Sequence, residues 1–312
     1  SLFGVVLCYL LSFLGVFFLA LVFMHRTFVL PSFKSLSLMN LWKLVVKSWP
    51  YVLTSVVSII LFRIDHLMLS KMSGNYQLGL YGAAYTIMEI IVAFLPMLIM
   101  RSAFPVLCEL YRKDIDGMVS LYNKLLRIFI FFGLPISCGA ILLGNEIIAA
   151  IFGEEYYEAG ILLSALGGSI VVFFLTNLMG WTITAMDRQK LILLFGVISM
   201  VSNIFINFFA IPAMGALGAA LATLASEMIQ LLFMTVLIRK IVNGRFQAGH
   251  LKIVISTAIM LLVIIFLKRL NFSNDLVKLL IIVLTAGLAY LMSSVLLKVF
   301  DYQDMRKMLK AW

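Results

Sequence analysis

Apolar stretches of about 20 residues recur from one end of the chain to the other, and no other feature constrains the fold as strongly. Nine can be drawn, over about 2–24, 50–70, 79–103, 124–144, 160–185, 190–210, 215–238, 251–267 and 277–297. Hydrocarbon offers no partner to backbone N–H and C=O groups, so a chain crossing it repeatedly must do so as helices, which satisfy those groups internally. Only 12% of residues are charged, against roughly 25% in an average soluble domain. With 63% hydrophobic residues and a mean hydropathy of +1.12, the sequence predicts an all-α, polytopic helical membrane protein of about nine transmembrane helices.

The connections between these spans alternate in charge. One set holds Arg26, Lys34, Lys43 and Lys47; Arg112, Lys113, Lys124 and Arg127; and Arg188 and Lys190. It continues with Arg239, Lys240, Arg245 and Lys252, then Lys298, Arg306, Lys307 and Lys310. The other set holds Lys71, Lys268, Arg269 and Lys278. Eighteen basic residues against four is a positive-inside signal. It puts the first set and the C-terminus in the cytoplasm of a multi-pass protein of the inner (plasma) membrane. The net charge of +10 is thus spent on orientation and predicts no nucleic-acid partner.

The chain begins at Ser1 and enters an apolar run with no basic segment before it. That start predicts no secretory signal peptide and reads as a piece of a longer protein. Between the first two spans, "NLWKLVVKSWP" puts Trp42, Val45 and Trp49 on one helical face, the pattern of a short interfacial helix ending at Pro50. Cys8, Cys108 and Cys138 sit in or beside apolar runs at unrelated spacings and suggest neither a disulfide frame nor a metal site. No nucleophile with a nearby base and no phosphate-cradling glycine loop stands out. The sequence therefore predicts neither an enzyme nor a cofactor.

Charges inside the spans carry the functional signal, because each costs about 2.5–3.5 kcal/mol at a helix centre unless it meets protein or water. "SIILFRIDHLMLSKM" holds two polar faces: Thr54, Ser58 and Asp65 on one, Arg63 with His66 and Ser70 nearly opposite. Glu89 lies near mid-membrane in the next span, within reach of a salt bridge to Arg63. Arg101 sits closer to the cytoplasmic end, where its side chain can snorkel. Further stripes are Asn177 and Thr184 beside Gly180 and Trp181; Ser199, Asn203 and Asn207; and Thr223, Glu227 and Gln230. Each is compatible with interhelical hydrogen bonds, aided by close packing at Gly218, Ala222 and Ala225. Together they also suit the wall of a wet cavity. The last two spans lack central charges and read as lipid-facing additions.

Two blocks carry a resemblance. The first is "WPYVLTSVVSIILFRIDHLMLSKMSGNYQLGLYGAAYTIMEIIVAFLPMLIMRSAFPVL", with R-x-D-x-x-M-L at Arg63 to Leu69 and G-x-Y-G-A-A-Y at Gly79 to Tyr85. The second is "TAMDRQKLILLFGVISMVSNIFINFFAIPAMGALGAALATLASE". They resemble the second lobe of Wzx-type polysaccharide flippases in the MATE-like, MOP exporter superfamily, built as two six-helix lobes around a central cavity. The resemblance implies four parts. Residues 1–25 are the last helix of a truncated N-terminal lobe, and 26–49 are a cytoplasmic connector. Residues 50–240 are the C-terminal six-helix lobe, and 241–312 are two added helices and a cytoplasmic tail.

It also implies the cargo, an oligosaccharide on polyprenyl diphosphate moved from the inner to the outer leaflet for surface polysaccharide, alongside membrane lipid and polysaccharide polymerase machinery. Arg63, Arg101, Asn177, Asn203 and Asn207 are then the candidate substrate contacts. Asp65, Glu89 and Glu227 are candidate sites for a coupling proton or sodium ion, or structural charges. A lipid II transporter or a drug and cation exporter would share this fold, although Arg63 argues against a cationic cargo. A membrane glycosyltransferase or polymerase calls for a large extramembrane loop, which the spacing of the spans does not leave room for.

Overall fold

A computed structural model describes residues 2–27, 37–242, 248–270 and 274–300. The basic positions Lys34, Arg245, Arg306, Lys307 and Lys310, and with them the C-terminal tail, lie outside the described residues. Nine helices among those described are long and apolar enough to cross a membrane.

The chain divides into two compact units, Ser1–Trp49 and Pro50–Trp312. The first contains α1 (Leu2–Thr27), an apolar helix with side chains such as Phe13 and Leu19 fully open on its surface. Helix α2 (Leu38–Met72) starts in the first unit and ends in the second. Its apolar span, Tyr51–Met72, agrees with the span read from Pro50, while the helix itself begins at Leu38.

The second unit continues with α3 (Gly74–Lys113), α4 (Ile115–Phe152), a short 3-10 helix (Glu154–Tyr156) and α5 (Ala159–Ala185). It ends with α6 (Gln189–Met214), α7 (Ala216–Val242), α8 (Ala248–Lys268) and α9 (Asp275–Leu296). With 40 and 38 residues, α3 and α4 run about 60 Å and outreach the spans drawn from hydropathy. The sharp α3–α4 turn is held by Asp114, whose carboxylate accepts from the Gly117 N–H at 2.9 Å. Gly215 (φ 58) makes the equally tight α6–α7 turn in a conformation that suits glycine.

Helix α5 is the hub, packed against α3, α4 and α7. It gets there by small residues. A Cβ added at Gly160 would run into the backbone of Asn145, and one at Gly133 would press on Phe174. A Cβ at Gly218 would likewise meet the Ala210 carbonyl, so α6 and α7 touch backbone to backbone. Helices α8 and α9 pack on each other and on α4. Tyr290 donates to the Phe131 carbonyl at 2.7 Å, and Lys268 pairs with Glu146 at 2.6 Å. The pair is thus anchored on one side by a buried seam, and lipid-facing on the other through residues such as Leu262 and Leu284.

Candidate functional site

Asp65 sits inside the second unit with 1% of its surface exposed. Helix α3 supplies the Tyr81 hydroxyl, which donates to Asp65 Oδ2 at 2.9 Å. Helix α7 supplies Thr223 Oγ1, 2.8 Å from the same oxygen. Helix α6 supplies Asn207, whose Nδ2 donates to Asp65 Oδ1 at 2.6 Å and to Asn203 Oδ1 at 3.0 Å. Four helices therefore converge on one carboxylate. Among the described residues no cation lies in salt-bridge range of it. Three neutral donors offset part of the cost of burying the charge, and Asn207 Oδ1 is left buried without a partner. The result is a buried carboxyl satisfied by neutral side chains of three other helices.

One turn along α7 lies a second buried carboxylate, Glu227, 3% exposed. Thr176 and Ser199 approach it at 3.4 Å each, long contacts that leave it loosely held. Glu227 also borders a cavity of about 790 Å³. The polar wall of that cavity comes from Thr54 and Ser58 of α2, Asn177 of α5, and Gln230 of α7. Its far end reaches Tyr51, Thr184 and Gln189, where Gln189 hydrogen-bonds the Tyr51 hydroxyl. This is the basic end of the unit, beside Arg188 and Lys190.

Arg63 takes the opposite side of α2. Its guanidinium lies 3.7 Å from Glu89 of α3, with 59% of the Arg63 side chain and 38% of the Glu89 side chain exposed. Of the two polar faces of α2, the Asp65 face therefore turns into the unit, whereas the Arg63 guanidinium on the other face is largely exposed. Arg101 is likewise exposed on α3, which runs on past it to Lys113. Asn177 lines the cavity. Asn203 and Asn207 differ from their expected role: both are buried around Asp65 and present no surface to a glycan. His66 packs edge-on between Tyr81 and Tyr85, at ring-centroid distances of 5.2 and 5.1 Å.

Tyr81 and Thr176 escape the sequence reading. Tyr81 lies in the quoted "GLYGAAY", but a tyrosine in a membrane helix is usual at interfaces and does not announce a buried acid as partner. Thr176 is adjacent to Asn177, and a lone threonine gives no stripe.

Comparison with known proteins agrees with this architecture. A family model described as "Polysaccharide biosynthesis protein" matches residues 3–161, just over half of the chain. This chain belongs to that family. Among curated relatives, the "Probable flippase AglR" of Haloferax volcanii is 28% identical over 167 residues, covering 52% of this chain and 35% of its own length. The "Capsular polysaccharide biosynthesis protein CapF" of Staphylococcus aureus is 28% identical over 174 residues, 54% of this chain and 43% of the relative. Among solved structures, "Lipid II flippase MurJ, inward closed conformation" superposes with a TM-score of 0.69 at 21% identity, over 84% of this chain and 56% of that one. At that identity the likeness is one of fold. The family member described here thus spans about half or less of the relatives it matches.

Proposed function

We propose that this polysaccharide biosynthesis family member is the second lobe, with flanking helices, of a flippase. Its cargo is an oligosaccharide linked to polyprenyl diphosphate, moved from the cytoplasmic to the outer leaflet of the plasma membrane for use by a polysaccharide polymerase. The observation that carries the reading is the pair of charged faces on α2. Arg63 projects from an apolar span on the outer surface of the lobe, where lipid would penalise it. A face like that calls for a polar counterpart, and a first lobe facing it across a wet cavity supplies one. There Arg63 offers two parallel N–H bonds to a diphosphate. Relatives named as flippases, and as capsular polysaccharide biosynthesis proteins, support the cargo class.

On this reading Asp65 with Asn203, Asn207 and Thr223 holds a coupling cation, sodium or a proton, and the two asparagines serve that ion and not the cargo. Sequestered from the cargo, a cation there acts by changing how tightly α2, α3, α6 and α7 pack. No residue is asked to make or break a covalent bond, so the role is transport and not catalysis.

The test is a reconstitution of the full-length protein in vesicles with a fluorescent lipid-linked oligosaccharide. Outward movement of that cargo that stops with Asp65→Asn and Arg63→Gln is the expected result. Movement of lipid II in its place would shift the assignment to the alternative cargo, and failure to move either would overturn the reading.

A further inference from the structure

A second, much smaller space lies beside the Asp65 cluster and shares part of its lining with the large cavity. About 10 Å³ in size, roughly the room for one water, it is lined by Asp65, Asn203, Thr223 and Glu227 among others. Leu61, Phe62, Phe173 and Glu227 border both spaces. The rings of Phe62 and Phe173 stack with centroids 6.2 Å apart at this junction.

We propose that Glu227 and the polar cavity beneath it form an access path for a monovalent cation between the basic end of the lobe and Asp65, constricted at the Phe62–Phe173 pair. The proposal rests on the coupling reading above and adds the route by which the ion enters or leaves. Thr223, Glu227, Gln230 and Met234 follow one another at four-, three- and four-residue steps, so they form one face of α7 that runs from the Asp65 cluster towards the basic end. A cation leaving Asp65 meets the Glu227 carboxylate after one turn.

Beyond it stand the carbonyl oxygens of Asn177 and Gln230, both buried without a partner. Buried acceptors in this condition are costly unless water or a cation satisfies them, and both residues line the larger cavity. The Glu227 carboxyl oxygens offset part of the cost of taking a cation through a low-dielectric constriction.

The opposite end is built differently. Tyr76 donates to Glu158 at 3.0 Å, and the Ala216 N–H donates to Gln77 at 3.1 Å, tying α3 to the turns on that side. A pocket of about 420 Å³ lies there, but its lining includes neither Asp65 nor Glu227. Fully buried Tyr81 covers Asp65 from the α3 side.

The experiment uses the full-length protein in vesicles with the basic end accessible, following radiosodium exchange, with a pH-sensitive dye in parallel. Asp65→Asn first tests the coupling reading and should abolish saturable cation uptake. With Asp65 intact, Glu227→Gln should slow exchange from the basic end roughly ten-fold or more. A plug is the second arm. A Cβ at Gly180 meets nothing within 4 Å and points into the cavity, so Gly180→Cys should fold and exchange as wild type in a background without Cys8, Cys108 and Cys138. A bulky thiol reagent added from the basic end should then slow exchange while leaving equilibrium occupancy unchanged. Slowing of sodium identifies the ion as sodium, and slowing of the dye response alone identifies it as a proton. Wild-type exchange in both arms, with Asp65 still required, overturns the path and leaves the coupling site standing. Undiminished uptake in Asp65→Asn overturns both.

Discussion

Asn207 Nδ2 lies 2.6 Å from Asp65 Oδ1, so a single amide joins α6 to α2 at the buried centre of the lobe. The same amide reaches Asn203 at 3.0 Å, which fixes its orientation. Replacing it with Asn207→Leu keeps the volume and removes the donor, leaving a buried carboxylate oxygen unsatisfied. The expected loss is about 1–3 kcal/mol of stability, read as a lower thermal midpoint in detergent. In an Asp65→Asn background the same change should cost less, because a neutral amide is cheaper to leave short of a donor than a charge. A double-mutant cycle measures the difference. Equal losses in both backgrounds would show that Asn207 stabilises the lobe by packing and not through Asp65.

Close approach of α4 and α5 yields a second prediction. A Cβ at Gly160 would overlap the backbone of Asn145, whereas one at Gly139 meets nothing within 4 Å. Gly160→Ala should therefore destabilise by about 1–3 kcal/mol, the usual range for overpacking, and Gly139→Ala should not. Yield of folded protein and thermal midpoint would both report it. Matching behaviour of the two variants would mean the helices separate easily at this seam.

Much of this architecture is legible in the sequence, and the rest is hidden for identifiable reasons. Hydropathy finds the nine spans because length and apolarity are local properties. It cannot see that α3 and α4 continue well past the apolar window, since polar ends such as "ELYRK" are as helical as the core. Helical periodicity separates the Asp65 and Arg63 faces of α2, but which one turns inward depends on α6 and α7, more than 130 residues away in the chain. For the same reason Asn203 and Asn207 look like a cavity stripe until Asp65 is found opposite them. The docking of α8 and α9 rests on apolar residues such as Ile253 and Ile282, indistinguishable in type from those that face lipid.

Orientation is open to direct test. The positive-inside pattern predicts Arg112, Arg188 and Arg239 in the cytoplasm and Asn75 and Glu155 outside. Single cysteines at these positions, with Cys8, Cys108 and Cys138 replaced, should react with an impermeant reagent in intact cells only at positions 75 and 155. Strong labelling at position 188 would reverse the orientation, and with it the side from which the Glu227 cavity opens.

Arg63 separates substrate contact from a purely structural role. Its contact with Glu89 is long, at 3.7 Å, and both side chains are partly exposed, so the pair should contribute less than about 1 kcal/mol to stability. Arg63→Gln should accordingly leave protein levels near normal. If the guanidinium grips a diphosphate, Arg63→Lys keeps the charge but loses the planar fork, and flipping should fall in part; Arg63→Gln should fall further. Combining Arg63→Gln with Glu89→Gln removes both charges and leaves neither stranded. Where the pair only braces α2 against α3, this double change should restore flipping. Where Arg63 binds cargo, flipping should stay low. Complementation of surface polysaccharide by the full-length protein, with membrane levels measured alongside, reads both quantities. Recovery in the double variant would reject cargo contact by Arg63, and normal levels without function in all Gln variants would place the guanidinium on the diphosphate.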